Sequence, residues 1–230
     1  MVFFYDGTYD KNGKLILGER IDIKGADGYP AWIHAITTTN NGHVLIGGSY
    51  GAFYDATYDK DGNLIPGKRI EIRNAEGKPA YINSITPTNN GHVLIGGDGG
   101  AFYDGAYGKD GELILSERID IRDADGDPES IYSITSTNDG HVLIGGGYSA
   151  LYDGTYGEDG KLILGERIEI ENVEEELASI YSITPTNDGH VLIGGADGIL
   201  YPGTYGLDLE ILKQHLPEII NKGLADESGV

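Results

Sequence analysis

The sequence predicts an all-β chain built from repeated four-stranded antiparallel units, and three observations carry that prediction. The phrase Gly-His-Val-Leu-Ile-Gly-Gly places its histidine at 43, 92, 141 and 190, one step of 49 residues each time. A second phrase, Phe-Tyr-Asp-Gly-Thr-Tyr and its variants, places its first tyrosine at 5, 54, 103, 152 and 201 with the same period. Glycine (37) and tyrosine (16) are abundant, which suits short strands joined by tight turns. No insertion or deletion interrupts the four near-copies or the start of a fifth, so they arose by duplication or by design.

Within one unit, alternation of apolar and polar residues marks four short strands. The first is Ile82-Asn83-Ser84-Ile85-Thr86, closed by the turn Asn89-Asn90-Gly91. The second is His92-Val93-Leu94-Ile95, ending in Gly96-Gly97, and the third is Ala101-Phe102-Tyr103-Asp104, running to Tyr107. After a Lys109-Asp110-Gly111 turn and a short connector, Arg118-Ile119-Asp120-Ile121 reads as the fourth. Asn-Gly and Asp-Gly supply the positive φ angles of hairpins, so consecutive strands should pair antiparallel.

Such a sheet leaves both faces bare, and stacking copies around an axis buries them. The expected architecture is therefore a small β-propeller. A β-helix is the nearest rival, but its coils are usually shorter and lack hairpin turns. Three whole blades fall at about 31–73, 80–122 and 129–171. Residues 3–23 supply only third and fourth strands, and residues 180–205 only the first three. A composite blade from the two termini gives four blades, the favoured count; five blades, or a ring closed between chains, are the alternatives. Tyr5 and Tyr201 compete for one position, and Pro202, which lacks an N–H, marks the C-terminal copy as the one displaced. The propeller occupies 1–206. Over 207–230, Asp208 can cap a helix carrying Leu209, Leu212, Leu216 and Ile219 on one stripe, kinked at Pro217 and stopped at Gly223. This tail is expected to cap the last copy or join subunits.

Composition narrows the function classes. There are 37 acidic against 16 basic residues, a formal charge of −21. Such a surface repels phosphate backbones and anionic lipid, so neither nucleic acid nor a membrane is an expected partner. Cysteine is absent, which excludes disulfides and thiolate metal sites. No apolar run matches a membrane span, and Met1-Val2-Phe3-Phe4 leads straight into the first repeat without a secretory signal; the chain reads as cytoplasmic.

Residues that recur in every copy read as structure, because an active site is needed once. His43, His92, His141 and His190 could converge on a metal; set just after a hairpin turn, they read instead as half-exposed and bonded to a neighbouring blade. Asp6, Asp55, Asp104 and Asp153 are expected to pair with Arg20, Arg69, Arg118 and Arg167 across neighbouring strands. Tyr5, Tyr54, Tyr103 and Tyr152, with Tyr9, Tyr58, Tyr107 and Tyr156, should pack between blades. The acidic run Asp123-Ala124-Asp125-Gly126-Asp127 alternates like a calcium loop, but its spacing is lost in Glu171-Asn172-Val173-Glu174-Glu175, so it reads as solvated. No catalytic residue, metal ligand or cofactor is expected. The aromatics that begin the first strand differ between copies: Trp32, His34, Tyr81, Tyr132 and Tyr181. On the variable rim of a propeller these are the candidate ligand-binding residues.

The order strand, Asn/Asp-Gly turn, strand, then Phe4-Tyr5-Asp6-Gly7-Thr8-Tyr9 and Arg20-Ile21 resembles the blade of tachylectin-2-type lectins. The resemblance implies a propeller, five-bladed in that family, that binds carbohydrate. The connector tryptophans of that family are reduced here to Trp32, with Tyr81, Ser130 and Ser179 at the matching positions, so no binding residue is carried over. The Gly-His-Val-Leu-Ile-Gly-Gly phrase resembles blades of bacterial sensor propellers. Three functions follow as expectations: a non-enzymatic binding module for carbohydrate or a partner protein; a self-assembling scaffold that exchanges terminal strands or joins through the tail helix; and, last, a hydrolase in the central channel.

Overall fold

The computed structural model describes residues 4–123, 125–148, 150–170, 177–186, 189–196 and 200–204. The expected helix within 207–230 and the stretch 171–175 lie outside the described residues. Among the described residues every regular element is a strand. In chain order they are β1 (Phe4–Tyr9), β2 (Leu15–Ile21), β3 (Ile33–Thr38), β4 (Val44–Gly48), β5 (Phe53–Tyr58), β6 (Leu64–Arg69), β7 (Ile82–Pro87), β8 (His92–Gly97) and β9 (Phe102–Tyr107). They continue with β10 (Leu113–Leu115), β11 (Ile131–Ser136), β12 (Val142–Gly146), β13 (Leu151–Tyr156), β14 (Leu162–Ile168), β15 (Ile180–Pro185), β16 (His190–Gly195) and β17 (Leu200–Thr204).

Each repeat forms its own antiparallel meander. Three sheets have four strands, β3-β4-β5-β6, β7-β8-β9-β10 and β11-β12-β13-β14. They are flanked by the two-stranded β1-β2 and the three-stranded β15-β16-β17. The hairpin loops follow the predicted chemistry. In Thr88-Asn89-Asn90-Gly91, Gly91 takes φ 87° and its N–H donates to the Thr88 carbonyl. The Thr88 hydroxyl accepts the His92 N–H at 3.1 Å, which holds the loop and sets the register of β8.

The fourth strand is not where the sequence pattern put it. Leu113 pairs with Tyr107 at once after the Gly111 turn, so β10 is Leu113–Leu115 and not Arg118–Ile121. A tight turn returns the chain immediately, and nothing interrupts pairing before Leu113. Ile119 still donates to the Phe102 carbonyl at 2.8 Å, and Ile121 is buried in the core.

The core lies between sheets. Leu45 and Phe53 of one sheet pack with Ile82, Ile85, Val93 and Ile95 of the next. Leu94 and Phe102 meet Ile131, Ile134 and Ile144 in the same way. Close approach depends on glycine in the second strand. A Cβ on Gly96 would stand 2.5 Å from Ile131 Cγ2, and one on Gly47 or Gly145 would strike Ile82 or Ile180. Burying an isoleucine against such a slot stabilises by roughly 2–3 kcal/mol. The first strands therefore stack as a series, β3 on β7, β7 on β11, β11 on β15.

In the single chain the displacement expected at the C-terminus does not occur. β17 pairs with β16 in the same register as its counterparts, with Pro202 opposite Leu192. The reason is visible two repeats earlier. Asp104, at the matching place, turns its N–H to Ser116 Oγ and its carbonyl to Ser116 N, away from β8. A proline there removes no bond to β16, and it blunts an open edge. β1 and β2 remain a separate pair.

Candidate functional site

The two ends of each sheet carry different chemistry. At the end with the tight turns, three of the four repeated histidines meet the aspartate of the third strand. His43 Nδ1 lies 2.7 Å from Asp55, His92 Nδ1 2.9 Å from Asp104, and His141 Nδ1 2.8 Å from Asp153. The imidazole faces the next sheet's tyrosine, with ring centroids 4.6 Å apart for His43–Tyr107 and for His92–Tyr156. Burial pushes the Asp104 carboxyl above its usual range, and the hydrogen bond and charge of His92 oppose that shift. Burial, then the Asp55 or Asp104 charge, drives the Tyr107 and Tyr156 phenols upward, so both stay protonated. Each cluster ties the second strand, the third strand and the neighbouring sheet together. The histidines do not form a ring, and among the described residues no group of three metal-binding side chains occurs.

The expected Asp–Arg pairing fails because a bulge in the third strand sets Arg69 opposite Tyr54 and Arg167 opposite Tyr152, and turns the aspartates toward histidine. The guanidinium groups instead donate to carbonyls of the loop between the second and third strands: Arg69 to Gly51, Arg118 to Gly100 and Arg167 to Tyr148. The constant spacing of twelve residues between repeated His and Asp was the available signal for the true pair. The loop at 123–127 is closed by Asp123 itself, which accepts the N–H groups of Asp125 and Asp127.

At the opposite end lie the connector, the start of the first strand and the loop between the second and third. Tyr103 and Tyr152 tie the connector base by donating to the carbonyls of Arg73 and Arg122, both at 2.7 Å. Above that base the residues vary. Trp32 is 66% exposed, and its N–H donates to Ser49 Oγ. His34 is exposed and stands 6.3 Å, ring to ring, from the half-buried Tyr81. Tyr81 also meets Tyr50 edge-on at 5.0 Å. Its hydroxyl is pushed up to about 12, first by the hydrogen bond with Tyr50, then by burial and the nearby carboxylates Asp98 and Asp27. One repeat pair further on, the rings of Tyr132 and the exposed Tyr181 meet tilted, with centroids 5.3 Å apart. The predicted aromatics thus make two ring contacts, His34–Tyr81 and Tyr132–Tyr181, and Trp32 is exposed at the same end of the array.

Three residues at this end escaped the sequence reading. Tyr50 and Tyr148 hold positive φ angles, 55° and 40°, where Gly99 stands in the intervening copy, and both rings are exposed. A tyrosine in a left-handed turn is strained, and such strain concentrates at functional loops. Glu129 replaces an alanine found at 31, 80 and 178. It is 4% exposed; Oε1 accepts N–H groups from Ser130 and Gly147, while Oε2 is buried without a hydrogen-bond partner. Desolvation raises its carboxyl above the normal range. In each case the signal was a departure from the repeat: an aromatic where glycine belongs, a carboxylate where alanine belongs.

The chain is a repeat domain of propeller type, as its structural neighbours are. A crystal structure of a protein from Lactobacillus plantarum matches with a TM-score of 0.67 and 12% identity, covering 88% of this chain and 65% of that one. YCF48 from Cyanidioschyzon merolae matches with a TM-score of 0.51 and 14% identity over 87% of this chain and 66% of the other. The extracellular domain assigned to a hybrid two-component system of B. thetaiotaomicron matches with a TM-score of 0.55 and 18% identity, over 87% of this chain and 25% of that protein. These are propeller-like folds with repeated four-stranded antiparallel sheets. This chain spans about two thirds of the first neighbour's length. No protein-family model and no curated protein matches the sequence.

Proposed function

We propose that this chain is a non-enzymatic binding domain that takes its ligand on the aromatic connector end. One observation carries the reading: the residues that break the repeat gather at that end, and Trp32, Tyr50, Tyr148 and Tyr181 present large rings to solvent there. Exposed rings with few rotatable bonds lose little entropy on binding. Carboxylates beside them, Asp27 and Asp98, are acceptors for ligand hydroxyls. A ligand with flat apolar faces edged by hydroxyls fits both features, which makes carbohydrate the favoured class and agrees with the tachylectin-type blade resemblance. The strongly acidic surface favours neutral or cationic sugars over anionic ones. The His–Asp clusters take no part, because three like copies brace three sheets.

A glycan array followed by calorimetry on the best neutral oligosaccharide tests this. Trp32→Ala and Tyr181→Ala are each expected to weaken binding at least about tenfold, the loss of one stacked ring. An array without a hit, or affinity unchanged in both variants, overturns the reading; capture of a protein instead assigns this end to a protein partner.

A further inference from the structure

The three interior junctions define what one sheet offers and what the next accepts. The preceding sheet offers a glycine slot in its second strand, Gly47, Gly96 or Gly145; the following sheet fills it with two isoleucines of its first strand. The outer sheets carry the two halves of a fourth such junction. Ile33 and Ile36 match the filling pair, yet Ile36 is 50% exposed where Ile85, Ile134 and Ile183 are 6–7%. Gly194 matches the slot, yet among the described residues a Cβ there would meet only Ser182 Cβ of its own sheet, at 3.9 Å. Leu192 is 40% exposed where Leu45 and Leu94 are 0%.

The incomplete sheets complement each other as well. Among the described residues β1-β2 offers strands of the third and fourth positions, and β15-β16-β17 offers those of the first three. The strand now beside β16 is poorly suited to its place: Leu200 is 67% exposed where Phe53 and Phe102 are fully buried. Pro202 stands where Asp55, Asp104 and Asp153 meet histidine. β1 supplies what β17 lacks, Phe4 in the buried position and Asp6 in the aspartate position. Asp6 already receives the Tyr58 hydroxyl at 3.3 Å, so with His190 it rebuilds the His–Asp–Tyr cluster of the interior junctions.

We propose that two copies of this chain close one ring by exchanging N-terminal strands. β1 and β2 of each copy displace β17 beside β16 of the other, and Ile33 and Ile36 then seat in the Gly194 slot. A second copy, rather than the same chain, is the occupant. Among the described residues the series β3-β7-β11-β15 does not return on itself within one chain. The contact is head to tail, and two copies related by a twofold axis close it.

Light scattering of the full chain should give twice its 24.6 kDa mass; a monomer at about 100 μM overturns the proposal. The chain has no cysteine, so Asp6→Cys with Leu192→Cys reads the contact directly. Their interior equivalents, Asp55 and Leu45, are directly opposed across β4 and β5. Oxidation should yield a disulfide-linked dimer on a denaturing gel. A linked monomer, which means closure within one chain, or no link at all, overturns the proposal. Adding Gly194→Val, which meets no obstacle within its own sheet, should lower linked dimer at least about tenfold with the circular dichroism spectrum unchanged. Undiminished linking would contradict the Gly194 contact.

Discussion

The turn end and the connector end of the same sheets differ in what they repeat. At the turn end, His43–Asp55, His92–Asp104 and His141–Asp153 are near copies, each backed by a threonine loop. At the connector end, position 32 is Trp, Tyr, Ser and Ser in successive copies, and position 50 alternates tyrosine with glycine over the first three. Repetition therefore marks the groups that hold sheet to sheet, and departure from it marks groups relieved of that task. The two ends should respond to substitution in opposite ways.

The largest effect is expected at the turn end. Asp104→Ala removes the acceptor of His92 and leaves the enclosed Tyr156 hydroxyl beside a void, at a cost of about 2 kcal/mol. For a chain of this length that lowers the melting midpoint by roughly 4–8 °C in a calorimetric scan. Thr137→Val comes next. Thr137 is 1% exposed and accepts the His141 N–H at 3.0 Å, so the loss should be about 1 kcal/mol in a denaturant titration.

At the connector end the sign reverses. Glu129→Ala restores the alanine of the other copies and removes a buried acceptor without a partner, gaining about 1 kcal/mol near neutral pH. The carboxyl's folded value is raised above its unfolded one, so its ionised form costs stability above that value and the cost vanishes as pH falls through it. Stability measured from pH 7 down to 4 should show the variant's advantage shrinking; an advantage that grows contradicts the assignment. The smallest effect is Trp32→Ala, within about 0.5 kcal/mol of the parent, because the ring is already largely in water.

Much of this was legible from the period alone. The 49-residue spacing and the Asn-Gly turns suffice for antiparallel meanders with hydrophobic faces buried between copies. The fourth strand was misplaced because Arg118-Ile119-Asp120-Ile121 alternates while Leu113-Ile114-Leu115 is a short continuous apolar run, and only the immediate return at Gly111 decides for the latter. The partner of Asp55 was misassigned because a bulge between Tyr54 and Ala56, invisible in sequence, takes it out of register with the fourth strand, and its side chain meets His43. Pro202 misled because its effect depends on which edge its nitrogen faces, a matter of register. The rim aromatics stand out in the sequence as departures from the repeat, and the same test picks out positions 50, 129 and 148.

Melting temperature, read on two matched triple variants, tests the division of labour most directly. One carries Asp55→Ala, Asp104→Ala and Asp153→Ala; the other carries Trp32→Ser, Tyr132→Ser and Tyr181→Ser. The first should melt more than about 10 °C below the parent, and the second within about 3 °C of it. A connector-end triple as destabilised as the turn-end triple would show that both ends hold the sheets, and the account would fail.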